Sequence, residues 1–227
     1  MQPYFFPYIG YWQMINAVDK YVIFDDVNYI KRGWINRNRI LYQDNIVYFG
    51  IHLHSASQNK HINEINVIND EHNLNNPRII KDAYQKAPYF SEVYPVIEKV
   101  LLQDEQNLAE YNGYLIRTVC EYLGIKTDII YSSDIDKNQC LKGQDKIIEI
   151  CKKLGASSYY NAIGGRNLYE HSLFENSGLE LKFLQTEKIE YKQFDNEFAE
   201  NLSIIDVMMF NSKEIIRSYL SKYEMIS

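Results

Sequence analysis

The chain has 227 residues, of which 46% are hydrophobic and 24% charged. Those values suit one compact domain, or two tightly packed lobes, with a real core, and exclude a disordered tail, a fibrous repeat and a disulfide scaffold. Lys and Arg number 24 against 30 Asp and Glu, a formal net charge of −6, so nucleic acid is not an expected partner.

Cys120, Cys140 and Cys151 are an odd count with no close pairing, which points to a reducing compartment. No run of about 18 apolar residues predicts a membrane span. The apolar start MQPYFFPYIGYW holds two prolines, no basic n-region and no small-residue cleavage site, so a signal peptide is not expected and a cytoplasmic protein is. The 20 tyrosines would suit polar ligands such as sugars, although a composition rich in Tyr, Asn, Ile and Lys accounts for them without any site.

In chain order, Pro3 and Pro7 interrupt helix, and Gly10 permits close backbone approach. Helical spacing follows over Tyr11–Val18, then a short buried strand over Tyr21–Phe24 ending at Asp25-Asp26. A mixed-charge loop leads to alternation over Ile40–Leu53, read as strand. The Asn-rich stretch 59–76 reads as an irregular surface excursion with an edge strand at Ile65–Ile68. Helices are predicted over Arg78–Gln85, Tyr94–Leu102 and Asn107–Leu123, the last closed by Gly124. Strands at Thr127–Tyr131, Ser157–Ile163 and Leu179–Leu184 then alternate with helices at Gln144–Leu154 and Leu168–Asn176, and helical segments at Ile204–Met209 and Lys213–Tyr223 end the chain. This rhythm predicts an α/β fold: a parallel or mostly parallel sheet with crossover helices, a helical middle segment and C-terminal helices. One domain over 1–227 is expected, with lobes at 1–90 and 91–227 as its natural division.

Two carboxylates, Asp25 and Asp26, stand at the carboxyl end of a predicted buried strand, where ligands collect in open α/β sheets. Four cations follow within Lys31-Arg32-Gly33-Trp34-Ile35-Asn36-Arg37-Asn38-Arg39. Arginine forks bind phosphate, Asn36 can orient hydroxyls and Trp34 offers a stacking face. The plain alternative is a solvated loop whose cations pair with the carboxylates. Asn161-Ala162-Ile163-Gly164-Gly165-Arg166 lies between a strand and a helix, where paired glycines expose amides to an anion or oxyanion and Arg166 adds charge; an ordinary turn explains it equally well. His52 and His54 share a predicted strand face, with too few partners nearby to complete a metal site. Cys120 and Cys151 read as buried structural thiols and Cys140 as a loop residue. Ser203 and Asp206 read as the cap and first turn of the helix that follows.

Several blocks resemble the WbqC-like family: QPYFFPYIGYWQMINAVDKYVIFDDVNYIKRGWINRNRI at Gln2–Ile40, KAPYF at Lys86–Phe90, a long helix ending in LGI at Leu123–Ile125, SSYYNAIGGRNLY at Ser157–Tyr169 and YKQFDNEFAENLSIIDVMMFN at Tyr191–Asn211. Family members open with a few apolar residues before the Gln-Pro pair, whereas here Met1 precedes it directly. The resemblance implies work in bacterial surface-polysaccharide assembly of the O-antigen type, on a nucleotide-linked amino sugar. It directs attention to Gln2, Tyr4, Pro7, Gly10, Asp25, Asp26, Lys31, Arg32, Trp34, Asn36, Arg37, Tyr191, Gln193, Ser203 and Asp206. Phe6-Pro7-Tyr8-Ile9-Gly10-Tyr11 is also similar, in Pro and Gly spacing, to the opening of adenylyl-transferring α/β nucleotidyltransferases. Tyr8 and Tyr11 stand where those enzymes carry the histidines that stabilise transferring phosphate.

Three functions are therefore expected to compete. In the first, an acyl or aminoacyl group passes to the amine of a nucleotide-linked sugar. Asp25 or Asp26 is the base, raised toward neutrality by mutual repulsion. Arg32, Arg37 and Arg39 hold the diphosphate, and Gly164 and Gly165 serve the oxyanion. The donor would be an acyl thioester of coenzyme A or a carrier protein. The second is nucleotidyl or phosphoryl transfer at the same N-terminal corner. The third is a non-catalytic carrier-recognition protein of the pathway. Oligomeric state is not legible in the sequence.

Overall fold

The computed structural model describes residues 1–194 and 197–227. Helix α1 (Ile9–Asn16) is buried from Ile9 through Ile15. A helix apolar on all sides belongs at the centre of a core. Strand β1 (Lys20–Ile23) pairs in parallel with β6 (Asp128–Tyr131), from Lys20 opposite Asp128 to Ile23 opposite Tyr131.

The segment predicted as a single strand over Ile40–Leu53 is a hairpin instead. Strand β2 (Arg37–Tyr42) turns at Gln43 and Asp44 into the antiparallel β3 (Asn45–Gly50). Both turn residues are left-handed, with φ of 47° and 63°, the geometry that matches a two-residue turn to strand twist. The first half of this hairpin lies inside the predicted charged loop. Strands β4 (Leu53–His54) and β5 (Asn66–Val67) form a small antiparallel pair.

The Asn-rich stretch is more ordered than its composition suggests. Helix α2 (Glu71–Tyr84) begins inside it, with Asp70 as its cap accepting from the Asn73 amide. Asn73 and Asn76 turn inward. The Asn73 side-chain amide donates to the carbonyls of His52 and Ile68, and that of Asn76 donates to Gly50. Helix α3 (Phe90–Leu101) follows, then α4 (Leu108–Leu123), capped by the Asn107 side chain and closed by Gly124 at φ 77°. Only glycine adopts that left-handed closing position without cost.

Helix α5 (Gly143–Lys153) leads to β7 (Ser158–Ala162). A short 3-10 segment (Ile163–Leu168) and α6 (His171–Asn176) then cross over to β8 (Glu180–Thr186), parallel to β7. Helices α7 (Ile204–Phe210) and α8 (Lys213–Tyr219) follow. The tail helix stops at Tyr219, and Tyr223–Ile226 forms β9, antiparallel to β8. The fold is thus mixed α/β with parallel pairs at β1–β6 and β7–β8. Among the described residues the strands form four small sheets rather than one continuous parallel sheet. The large core gathers α1, α4, α7 and the Phe5-Phe6 arm. A smaller one packs Ile148, Cys151 and Phe174 against Leu179, Leu181 and Phe183. Among the described residues no helix is long and apolar enough to cross a membrane.

Candidate functional site

Asp25 and Asp26 follow β1, just beyond Phe24, and both are buried. Neither pairs with the basic loop. The Asp25 carboxylate accepts from the Asn63 side chain at 3.1 Å and from the Ser133 amide at 3.0 Å. Asp26 Oδ2 lies 2.9 Å from both Lys137 Nζ and Lys146 Nζ, two lysines that are themselves buried. Lys146 also donates to the Asp26 carbonyl at 3.0 Å, and Lys137 to the Ser132 carbonyl. Burial opposes ionisation of Asp26, but hydrogen bonds from Lys137, Ser132 and Lys146 outweigh it and hold the carboxyl below its usual range. The expectation of an Asp26 raised toward neutrality by its neighbour is corrected: two ammonium groups control it.

The basic residues form a separate surface on the β2–β3 hairpin. Lys31 and Arg32 are exposed. Arg37 folds the loop back on itself, donating to the Arg32 carbonyl at 2.6 Å and the Gly33 carbonyl at 3.3 Å, and its guanidinium sits 4.3 Å from the Tyr48 ring centre. The Arg39 guanidinium lies 5.7 Å from the Trp34 ring and donates to the Asn201 carbonyl at 3.1 Å. None of these four cations has a carboxylate within ion-pair distance among the described residues. Trp34 and Tyr48 remain exposed beside them, Tyr48 at 61%. Asn36 faces inward, accepting from the Tyr29 hydroxyl and donating to the Ile51 carbonyl.

Asn201 belongs at once to this surface and to a cleft of about 290 Å³. Tyr8 and Ile9 line it from the start of α1, and Thr186, Glu187, Lys188 and Ile189 from the carboxyl end of β8. Tyr191, Phe198, Glu200, Leu202 and Val207 complete it. This cleft opens beyond the carboxyl end of β8, the kind of place where ligands gather in α/β folds. Gly10 is required here, since a Cβ would stand 2.5 Å from the Tyr8 ring and 2.6 Å from Thr186 Oγ1. Burial raises the Tyr8 phenol, partly offset by its hydrogen bond with Thr186.

The floor is stitched by backbone contacts. Phe6 sits at φ 40°, a conformation that costs a bulky residue on the order of 1–3 kcal/mol. Its carbonyl accepts from Asn38 Nδ2 at 3.0 Å and Ser203 Oγ at 2.8 Å. The Ser203 amide donates to Arg39 and the Ile204 amide to Pro7. Ser203 caps α7 as expected, its Oγ accepting from the Ile205 amide. Asp206 lies in the first turn of α7 as expected, with its carboxyl in the core rather than in solvent. It is wholly buried. It accepts from the Tyr191 hydroxyl and Gln193 Nε2, both at 2.7 Å on Oδ1, and from the Tyr84 hydroxyl at 3.0 Å on Oδ2. All three donors are neutral. Burial pushes the Asp206 carboxyl up, with the three donors opposing. Burial and the Asp206 charge push the Tyr191 phenol up as well.

The remaining expected residues lie in supporting positions. Gln2 donates to Asn28, and its carbonyl receives the Tyr11 hydroxyl; Tyr4 packs on Tyr11 at 5.6 Å. Of the two tyrosines at the nucleotidyltransferase-like histidine positions, Tyr8 faces the cleft and Tyr11 is buried in the core. Gly164 and Gly165 open a 3-10 segment, not an α-helix, because α6 starts only at His171. Asn161 donates to the Tyr169 hydroxyl, and Arg166 reaches the Ser227 carbonyl. His52 and His54 do not share a strand: β4 begins at Leu53, and His52 pairs with Asp70 at 2.8 Å while stacking on His72. Cys120 and Cys151 are buried, their thiols pushed up by burial to about 12 and about 11, and Cys140 is exposed. Glu187, at the cleft, falls in no motif of the sequence, and only its place just beyond β8 could have marked it; Glu200 falls in the Tyr191–Asn211 block without being singled out there.

A Mycobacterium tuberculosis (strain H37Rv) protein named "Uncharacterized protein Rv1507c" is 25% identical over 215 residues, covering 93% of this chain and 91% of that protein. No solved structure matches. The family model described as the WbqC-like protein family matches residues 2–218. That span takes in the Phe6 corner, the cationic hairpin, the cleft and Asp206, and the chain belongs to the WbqC-like protein family.

Proposed function

We propose that the protein is a transferase of bacterial surface-polysaccharide assembly that passes an acyl or aminoacyl group to the amine of a nucleotide-linked amino sugar. The observation that carries this reading is the Arg39–Asn201 contact, which joins a surface of guanidinium groups and aromatic rings to a cleft lined by carboxylates and phenols. A diphosphate suits the first region, through the unpaired positive charge of Arg37 and Arg39, and a base can stack on Trp34 or Tyr48. An ammonium and sugar hydroxyls suit the second, through Glu187, Glu200, Tyr8 and Tyr191. Lys188, the cation of the cleft, is paired with Glu190 at 2.5 Å, which lowers its repulsion of an incoming amine.

In the reaction, the amine nitrogen bonds to the carbonyl carbon of a thioester, the C–S bond breaks, and a thiol leaves. Coenzyme A or a carrier protein is the donor in this reading. In this reading Asp25 and Asp26 support the fold, Asp25 accepting from Asn63 and the Ser133 amide and Asp26 Oδ2 lying between Lys137 and Lys146. Calorimetric titration with a UDP- or dTDP-linked amino sugar tests the reading, against the same nucleotide carrying a hydroxyl in place of the amine. The amine form should bind at least about tenfold more tightly, a difference of about 1.4 kcal/mol, and Arg39→Ala should weaken both. Equal affinity for the two ligands would remove the amino-sugar assignment.

A further inference from the structure

A buried carboxyl with no cation beside it is unusual, because an ionised carboxylate in such a place normally keeps a charged partner. Asp206 has none among the described residues. Tyr84 of α2 faces it, as do Tyr191 and Gln193 from the segment before α7, and Tyr219 of α8 lies beyond Tyr191 with ring centres 6.5 Å apart. Of these groups, Tyr191 lines the cleft. Its ring is held against Phe198 with centres 5.1 Å apart, and its hydroxyl is 2.7 Å from Asp206 Oδ1. A carboxyl that can take a proton is thus connected to the cleft through one phenol.

We infer that Tyr191 is the catalytic group of the cleft and that Asp206, acting through it, is the terminal proton acceptor for an amine bound there. This rests on the reading of the cleft as an amino-sugar site. The ammonium gives one proton to the Tyr191 oxygen as the Tyr191 hydroxyl proton passes to Asp206 Oδ1. The free amine then attacks the thioester carbon. As the tetrahedral intermediate collapses, the second nitrogen proton goes to the departing thiolate, and Asp206 returns its proton to solvent when product leaves. One amide and one thiol form, with net release of one proton. Gln193 and Tyr84 hold the carboxyl in place by their own hydrogen bonds, so proton transfer needs no reorganisation of the buried side chain.

Two measurements decide this. The first is the titration of the Asp206 side-chain carboxyl by carbon-13 NMR in the free protein, in wild type and Tyr191→Phe. The inference predicts an Asp206 midpoint above the ordinary carboxylate range, rising further when the Tyr191 donor is removed, because that donor favours the charged form. A midpoint at or below the ordinary value overturns the relay whatever the ligand is. The second is amide formation from a UDP-linked amino sugar and an acyl-coenzyme A, with calorimetric binding of the same sugar as control. Tyr191→Phe should bind the sugar within about threefold of wild type yet lose about 100-fold in turnover, the ordinary size of a general-base contribution. Its remaining rate should climb with pH as free amine is supplied from solution. Turnover within threefold of wild type with an unchanged pH profile overturns the relay alone. A wild type that binds no amino sugar overturns the substrate reading, and the carboxyl titration then still judges the Tyr191–Asp206 pair.

Discussion

Asp26 and Asp206 are two buried carboxylates solved in opposite ways. Asp26 sits between two buried ammonium groups, 2.9 Å from each. Asp206 sits among two phenols and an amide, with no positive charge beside it among the described residues. The first arrangement holds a permanent charge and ties β1 to the segments carrying Lys137 and Lys146. The second has only neutral donors, and one of them, Tyr191, lines the cleft. Both sites are buried; what separates them is the charge of their partners.

The sharpest way to break this contrast is to remove the Asp26 charge. Asp26→Asn leaves two buried ammonium groups without their counter-ion and should destabilise the fold by about 3–5 kcal/mol, read from the denaturant midpoint. Asp206→Asn keeps an oxygen for Tyr191 and Gln193, loses the acceptor for the Tyr84 hydroxyl, leaves no buried charge behind and should cost less, about 1–3 kcal/mol. If the two variants cost the same, the distinction between a charge-held and a neutral-held carboxyl fails.

The pH dependence of those two penalties should run in opposite directions. The folded-state pKa of Asp26 is depressed, so its contribution is present above the unfolded value and is lost as pH falls through the folded one. The Asp26→Asn penalty should shrink in acid below the ordinary carboxylate range. The folded-state pKa of Asp206 is raised, so the native state is favoured below the unfolded value and loses that advantage as pH rises through the folded one. The Asp206→Asn penalty should shrink as pH climbs above the ordinary range. Urea melts of both variants and wild type at a series of pH values give the two slopes, and slopes of the same sign would contradict the account.

Smaller effects sharpen the cleft itself. Gly10→Ala should cost about 1–3 kcal/mol through overpacking, because its Cβ meets the Tyr8 ring and Thr186 Oγ1; a thermal melt reads this loss. Ser203→Ala should cost about 1 kcal/mol from the lost cap, and somewhat more because the Phe6 carbonyl loses one of its two donors. Unchanged stability in Ser203→Ala would show that the corner does not depend on its clamp.

Much of the helical framework was legible from local pattern. The span of α4 and its closing Gly124 follow from apolar spacing and a single residue that tolerates a left-handed φ. The β2–β3 hairpin was not legible, because Gln43-Asp44 adopts a two-residue turn without the Asn-Gly or Asp-Gly signature. The Asn-rich stretch misled for a related reason: Asn73 and Asn76 look like surface residues but turn inward and spend their amides on the backbone carbonyls of His52, Ile68 and Gly50. Several positions singled out by the family resemblance, Gly10, Tyr191, Gln193, Ser203 and Asp206, meet in and around the cleft. Their order in the chain could not show this, since Ser203 reaches Phe6 across 197 positions. The true partners of Asp26 were hidden likewise, with Lys146 lying 120 residues further on. The nearby loop cations, which proximity in sequence offered as partners, face a different surface.

The most direct measurement is a crystal structure of the protein soaked with a dTDP- or UDP-linked amino sugar. The account predicts the diphosphate on Arg37 and Arg39, the base against Trp34 or Tyr48, and the amine in the cleft within hydrogen-bond reach of the Tyr191 hydroxyl. Density for the ligand at the Asp25–Asp26 corner, with the cleft empty, would contradict it.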